Sequence, residues 1–135
     1  MRLPLFTTTC LVAASFTVAE GETIPLSKLD LNFMTAGWGR PMMDKSVTGT
    51  PLRIAKQEFA AGVGTHAESV MFIDLAGQAE RFQARVGVDD NAQVAKASLE
   101  FAVYGDDQPL FRSGLCKLGQ PATFCDVSLI GVKVL

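Results

Sequence analysis

The chain is poor in the side chains that build metal centres. It has a single histidine, His66, and three cysteines, of which Cys10 lies in an N-terminal run treated below. The two remaining cysteines, Cys116 and Cys125, are far from His66 in sequence. Zinc takes clustered Cys and His ligands, so this supply argues against a zinc site. Charge of one sign is also lacking: 12 Lys+Arg stand against 14 Asp+Glu. That balance gives no reason to expect nucleic acid or an anionic membrane as a partner. No segment carries a helical period of useful length, and nothing is repeated or low in complexity, which argues against bundles and solenoids. With 135 residues there is room for one domain.

What is present begins with a leader-like N-terminus. Met1-Arg2 is a short basic start, Leu3–Ala19 is apolar with Ser and Thr but no charge, and Thr17-Val18-Ala19 offers small residues before Glu20. This pattern reads as a secretory signal peptide over 1–19, cleaved after Ala19, in a secreted or periplasmic protein. The run is short and interrupted by Pro4 and several threonines, which argues against a membrane span. Residues 20–28 then read as a tail and 29–135 as the domain. Losing Arg2 with the leader leaves 11 Lys+Arg against 14 Asp+Glu. In an oxidising compartment Cys116 and Cys125 can form a disulfide around the loop 117–124, worth roughly 2–3 kcal/mol. Free buried thiols are the alternative.

The centre of the chain is Gly62 to Asp90, GVGTHAESVMFIDLAGQAERFQARVGVDD. Two alternating runs, Ser69–Leu75 and Arg81–Val88, flank the short polar link Ala76–Glu80. A period of two over this length predicts strands. A reversal at the link brings His66 to the same end as Asp89 and Asp90, whether the two strands pair or belong to two facing sheets. With Leu75 opposite Arg81, His66 sits opposite Asp90, and a slip of one residue gives Asp89. One reading is a small polar site of an imidazole, two carboxylates and glycine-freed backbone amides. The other is a turn capped by His66 and a loop stabilised by the Asp pair.

Elsewhere the spacing predicts a first strand at Leu29–Met34, a loop over Thr35–Gly49, and a hairpin of Leu52–Ile54 with Glu58-Phe59. Strands also follow at Ala97–Tyr104, with Leu99, Phe101 and Val103 inward, at Leu110–Leu115 and at Phe124–Ile130. Gly105-Asp106-Asp107-Gln108 reads as a tight turn. Many short strands at this spacing point to an all-β sandwich. Counting reversals places the loops at 62–68, 89–96 and 116–123 at one end, where binding sites on rigid sandwiches tend to lie.

Five stretches occur in order: Gly37-Trp38-Gly39, Gly62-Val63-Gly64-Thr65-His66-Ala67, Val86-Gly87-Val88-Asp89-Asp90, Phe101-x-Val103-Tyr104-Gly105-Asp106 and Ser113-Gly114-Leu115. The series resembles the NPCBM/NEW2 domain, also classed as family-51 carbohydrate-binding modules. The likeness runs from about Leu29 to Leu135. Leu29-Asp30-Leu31 and the Ser46-Val47 lead-in look most like domains attached to bacterial α-galactosidases.

The resemblance implies a galactose-binding-like β-sandwich (jelly roll). It also implies a non-catalytic module that recognises galactose-containing glycans beside a downstream catalytic domain of a secreted glycoside hydrolase. Trp38 and His66 carry over as sugar contacts, and Asp89 and Asp90 as an acidic motif that touches sugar or holds its loop. A ring face can stack on the C–H face of a pyranose, and imidazole or carboxylate groups can bond its hydroxyls. The open alternatives are a Trp38 that plugs the core, a structural sandwich that packs on a catalytic domain without binding sugar, and a small hydrolase using Asp89, Asp90 or Glu68 with His66. No cofactor is expected, with calcium at Asp89-Asp90-Asn91 as an outside option. The chain departs from the family pattern at Asp107, where glycine is usual, and at its two cysteines. It also departs after Leu135, where family members continue into a further apolar strand, so a missing C-terminal strand is expected.

Overall fold

The computed structural model describes residues 9–18 and 21–135. Ten strands follow one another in these residues: β1 (Thr9–Val18), β2 (Thr23–Pro25), β3 (Met42–Met43), β4 (Leu52–Ile54), β5 (Gln57–Phe59), β6 (Val63–His66), β7 (Ala79–Val88), β8 (Ser98–Gly105), β9 (Gln108–Lys117) and β10 (Thr123–Ser128). Two single-turn 3-10 helices, Leu26–Lys28 and Leu31–Phe33, are the helical elements among the described residues. Neither is long and apolar enough to cross a membrane.

Six strands form one sheet in the order β10-β7-β1-β6-β3, with β2 beside β6 on the same edge of β1. β8 and β9 pair as a long hairpin over the opposite side of the core, and β4 and β5 pair as a short one. The alternation seen in the sequence sets which side chains go inward. Phe82, Ala84, Val86 and Val88 of β7 meet Leu99, Phe101 and Val103 of β8 in one buried cluster. Phe82 and Phe101 are fully buried, each contributing about 1.5–3 kcal/mol relative to exposure. This is the expected all-β sandwich.

Both hairpins turn on two residues in the left-handed region: Ala55 and Lys56 (φ 47° and 69°), and Asp106 and Asp107 (φ 47° and 65°). Such mirror-image turns match the strand twist, which is why a two-residue link suffices. Asp107 therefore does adopt the backbone where glycine is usual, and Asp tolerates it through its short polar side chain.

Three expectations need correction, and one open choice is resolved. Ser69–Leu75 is no strand of the sheet: it touches its neighbours through the isolated bridges Met34–Met71 and Asp74–Val134. The edge of β7 that it was expected to fill is taken by β1, which pairs with β7 from Cys10–Val88 to Val18–Ala79. Leu29–Met34 is not a first strand either. The Asp30 side chain accepts the Asn32 backbone N–H at 2.9 Å and opens the 3-10 turn Leu31–Phe33, a local bond that competes with extended structure. Residues 20–28 do not trail as a tail from residue 23 on: β2 pairs with β1 and Leu26 is fully buried. Of the two states left open for the cysteines, the structure has free thiols: Cys116 and Cys125 are both buried, with Cys116 opposite Leu99 and Cys125 opposite Ala84 in a different sheet.

Of the leader-like residues, Thr9–Val18 form β1, while Met1–Thr8 and Ala19 lie outside the described residues. The last residues lie against the loop after β6, Ile73 and Leu135 exchanging backbone hydrogen bonds at 2.9 Å.

Candidate functional site

His66 ends β6, and the segment 35–38 is laced to that end. Thr35 N–H donates to the Val70 carbonyl at 2.9 Å, Val70 N–H donates back to Thr35 Oγ1 at 2.9 Å, and Gly37 N–H donates to the His66 carbonyl at 2.9 Å. Beneath them Ser69 Oγ donates to the Thr35 carbonyl at 2.6 Å and receives a bond from Thr65 Oγ1 at 3.1 Å. The approach is so close that a Cβ on Gly37 would stand 2.2 Å from the Ala67 carbonyl oxygen. Only glycine fits there. It is the reason this loop can deliver the next residue, Trp38, to the ring of His66.

The two rings meet edge to face, with centroids 6.2 Å apart and planes at 65°. Trp38 is 59% exposed, so it is no core plug: an apolar surface that size held on a rigid rim is available to a ligand face. His66 is half-buried, and its Nδ1 lies 2.7 Å from the Ala67 carbonyl oxygen. A carbonyl can only accept, so Nδ1 carries a proton, and in the Nδ1–H tautomer of the imidazole Nε2 is the acceptor for a hydroxyl.

Asp89 and Asp90 lie at the same end of the sheet but do different work. The register places residue 89 one row past the Cys10–Val88 pair, level with His66 beyond β1. With two strand spacings between them, the backbones are about 10 Å apart. Asp89 is buried and accepts Arg53 N–H through Oδ2 at 3.1 Å and Asn91 N–H through Oδ1 at 2.8 Å. Burial pushes its carboxyl up from the ordinary value, opposed by those two amide bonds. Asp90 accepts Ala55 N–H at 2.9 Å and Lys56 N–H at 2.7 Å. Gly87 completes the arrangement, since a Cβ there would come within 2.9 Å of Ile54 Cγ2. The stretch Val86–Asp90 is thus a socket for the β4–β5 hairpin. Among the described residues no three His, Cys, Asp or Glu side chains converge as a metal site would require.

One feature had no sequence signal. β3 pairs with β6 as Met42–Gly64 and Met43–Val63, and the same register carried two residues further brings Arg40 level with His66. From there a groove of about 600 Å³ runs along Arg40–Met43 and Lys45, with Leu29, Asp30, Leu31 and Asn32 as its other wall. Neither wall is periodic. The groove exists because the 3-10 turn replaces the expected strand.

A family model described as the NPCBM/NEW2 domain matches residues 22–135. The chain belongs to that family. Over 103 residues this NPCBM/NEW2 domain is 32% identical to a Renibacterium salmoninarum protein assigned as an endo-alpha-N-acetylgalactosaminidase, with 72% of the chain and 7% of that protein covered. It is 30% identical over 101 residues to alpha-1,3-galactosidase B of Akkermansia muciniphila, covering 73% of the chain and 12% of the relative. The domain therefore spans about a tenth of these relatives or less. Among solved structures it resembles the CBM51 domain of Clostridium perfringens GH95 in complex with methyl-galactose. The TM-score is 0.72 at 27% identity, over 82% of this chain and 81% of that one. The NPCBM/NEW2 sandwich anticipated from the motif series is thereby shown.

Proposed function

We propose that this domain is a non-catalytic carbohydrate-binding module that recognises galactose-containing glycans through Trp38 and His66. The observation that carries the reading is the exposed Trp38 indole fixed against His66 at the rim, with Nε2 left as an acceptor. The indole face stacks on the apolar face of a pyranose. Nε2 takes a hydrogen bond from a hydroxyl that the wrong epimer would aim elsewhere, leaving the acceptor unpaired. Asp89 and Asp90 hold the adjoining hairpin rather than the sugar. The methyl-galactose complex of a similar domain supports the choice of ligand.

The relatives are carbohydrate-active enzymes many times longer than this chain. That supports a role as the targeting module of a secreted or periplasmic glycoside hydrolase of α-galactosidase type, with the catalytic domain as partner. The domain brings no catalysis of its own. Calorimetric titration of the folded protein with methyl-galactoside tests the binding. Saturable heat that Trp38→Ala removes is the expected result; no saturation with galactosides, with the fold intact, would sink the proposal.

A further inference from the structure

The six-stranded sheet is held together by its N-terminal strand. β7 pairs with β1 along its whole length, while β6 and β2 pair with the other edge of β1, through Thr9–Val12 and Ser15–Thr17. Among the described residues, no ladder joins β7 directly to β6 or β2. Without β1 the sheet falls into the two pairs β10-β7 and β6-β3, each with a bare edge facing the other, and β2 is left without a ladder partner.

The residues that fill this gap are also those that read as an export leader. A segment removed with a leader cannot remain in the sheet, so the two roles exclude each other in one molecule. We propose that the gap between β7 and β6 is a strand-acceptor site, and that Thr9–Val18 is the donor it takes. The acceptor offers backbone N–H and C=O groups from both sides, the main-chain chemistry of strand addition. The register sets its side-chain demand. Positions 10, 12, 14 and 16 of the donor pair with Val88, Val86, Ala84 and Phe82, all of them buried. Directly opposed residues of an antiparallel pair share a face, so a donor needs apolar residues at alternate positions. The chain supplies Cys10, Val12, Ala14 and Phe16. Length agrees as well, since β1 and β7 each have 10 residues.

The test uses the full chain with Val12→Pro and Ala14→Pro, which remove two ladder N–H groups from a central strand. A synthetic peptide of residues 9–18, with lysines added at one end for solubility, is the probe. The double variant is expected to lose the cooperative thermal transition of the parent and to self-associate through its bare edges. The peptide should then bind saturably and restore both the transition and the monomer, while a peptide carrying the same two prolines does neither. The proposal is overturned if the double variant melts like the parent, if the peptide fails to restore it, or if the variant folds as a dimer indifferent to the peptide. Galactoside binding is not the readout, so failure here leaves the sugar site untouched and the reverse also holds.

Discussion

Trp38 and His66 stand 6.2 Å apart, ring centroid to ring centroid, although 27 residues of chain separate them. The contact exists because Gly37 lets one backbone lie on another. Trp38→Ala should lower galactoside affinity at least about tenfold, a cost of about 1.4 kcal/mol or more. Because the indole is mostly in water, unfolding free energy should move by no more than about 0.5 kcal/mol. Titration and chemical denaturation of the same sample check both halves. His66→Ala should weaken binding similarly by removing the Nε2 acceptor.

Gly37→Ala tests how the site is positioned without touching either ring. Its added Cβ would overlap the Ala67 carbonyl, so the loop must shift by more than a small rotation can absorb. A stability loss of about 1–3 kcal/mol is expected, as in other overpacked sites. A fall in galactoside affinity and a change in Trp38 fluorescence should accompany it. Unchanged fluorescence would mean that the loop is not what places the indole.

Asp90→Ala separates a hairpin anchor from a sugar ligand. The carboxylate satisfies two backbone donors of the Ala55-Lys56 turn, and losing them should cost about 1–3 kcal/mol. Affinity for galactosides in the folded fraction should stay within twofold. A large affinity loss with stability unchanged would return Asp90 to the binding site.

Acid should destabilise the domain through two surface carboxylates. Asp106 accepts the backbone N–H groups of Lys133 and Val134, and these bonds hold its carboxyl below the ordinary value. Asp126 is held down chiefly by its paired bonds to Arg81, at 2.6 and 2.7 Å. For both, the folded form binds the proton less readily than the unfolded chain. Their stabilisation is therefore complete above the unfolded carboxylate range, near pH 4, and fades as pH falls through the folded values. Asp89 works oppositely: its raised carboxyl favours the fold at low pH, a contribution lost as pH rises through its folded value. Asp106→Asn should flatten the acid limb of a denaturation series, and Asp89→Asn should not.

The thiols give a direct check on the core. Burial, with the nearby Asp126 charge adding to it, pushes Cys125 up to about 12. At neutral pH almost none of it is thiolate, the reactive form. A thiol reagent should label Cys125 in the native protein at least a hundredfold more slowly than after denaturation. Mass spectrometry without reductant should find no Cys116–Cys125 bridge.

Much of the sandwich was legible in the sequence, for a specific reason. Leu99, Phe101 and Val103 alternate with the partly exposed Ser98, Glu100 and Tyr104 because β8 turns one face to the core, and that pattern survives in a single sequence. The turn at 105–108 was legible too, and so was a hairpin link at 55–57, one residue longer than the observed turn, because short links between alternating runs leave few geometries. The partner of β7 was not. Ser69–Leu75 alternates as well as a paired strand does, since an extended segment resting on a core has the same period whether or not its backbone bonds a ladder. β1 was hidden by the composition it shares with export leaders. At the rim, the glycine-bearing motifs of Trp38 and His66 stood out in the sequence, and the structure brings the two rings together; their contact with sugar is the proposal above. The duty of Asp89 and Asp90 to the β4–β5 hairpin was not, because a carboxylate that binds amides and one that binds hydroxyls read alike.

The pairing of β1 with β7 also sets an order of events during synthesis. Val18 and Val88 are 70 residues apart, so the first strand leaves the ribosome long before its partner exists. At about 5–20 residues per second, the wait is roughly 4–14 s. For that interval residues 9–18 are an unpaired apolar segment of the nascent chain, available to whatever binds such segments first. Slowing translation between codons 18 and 88 lengthens that exposure, and it should raise the fraction of chains captured or aggregated before β7 arrives.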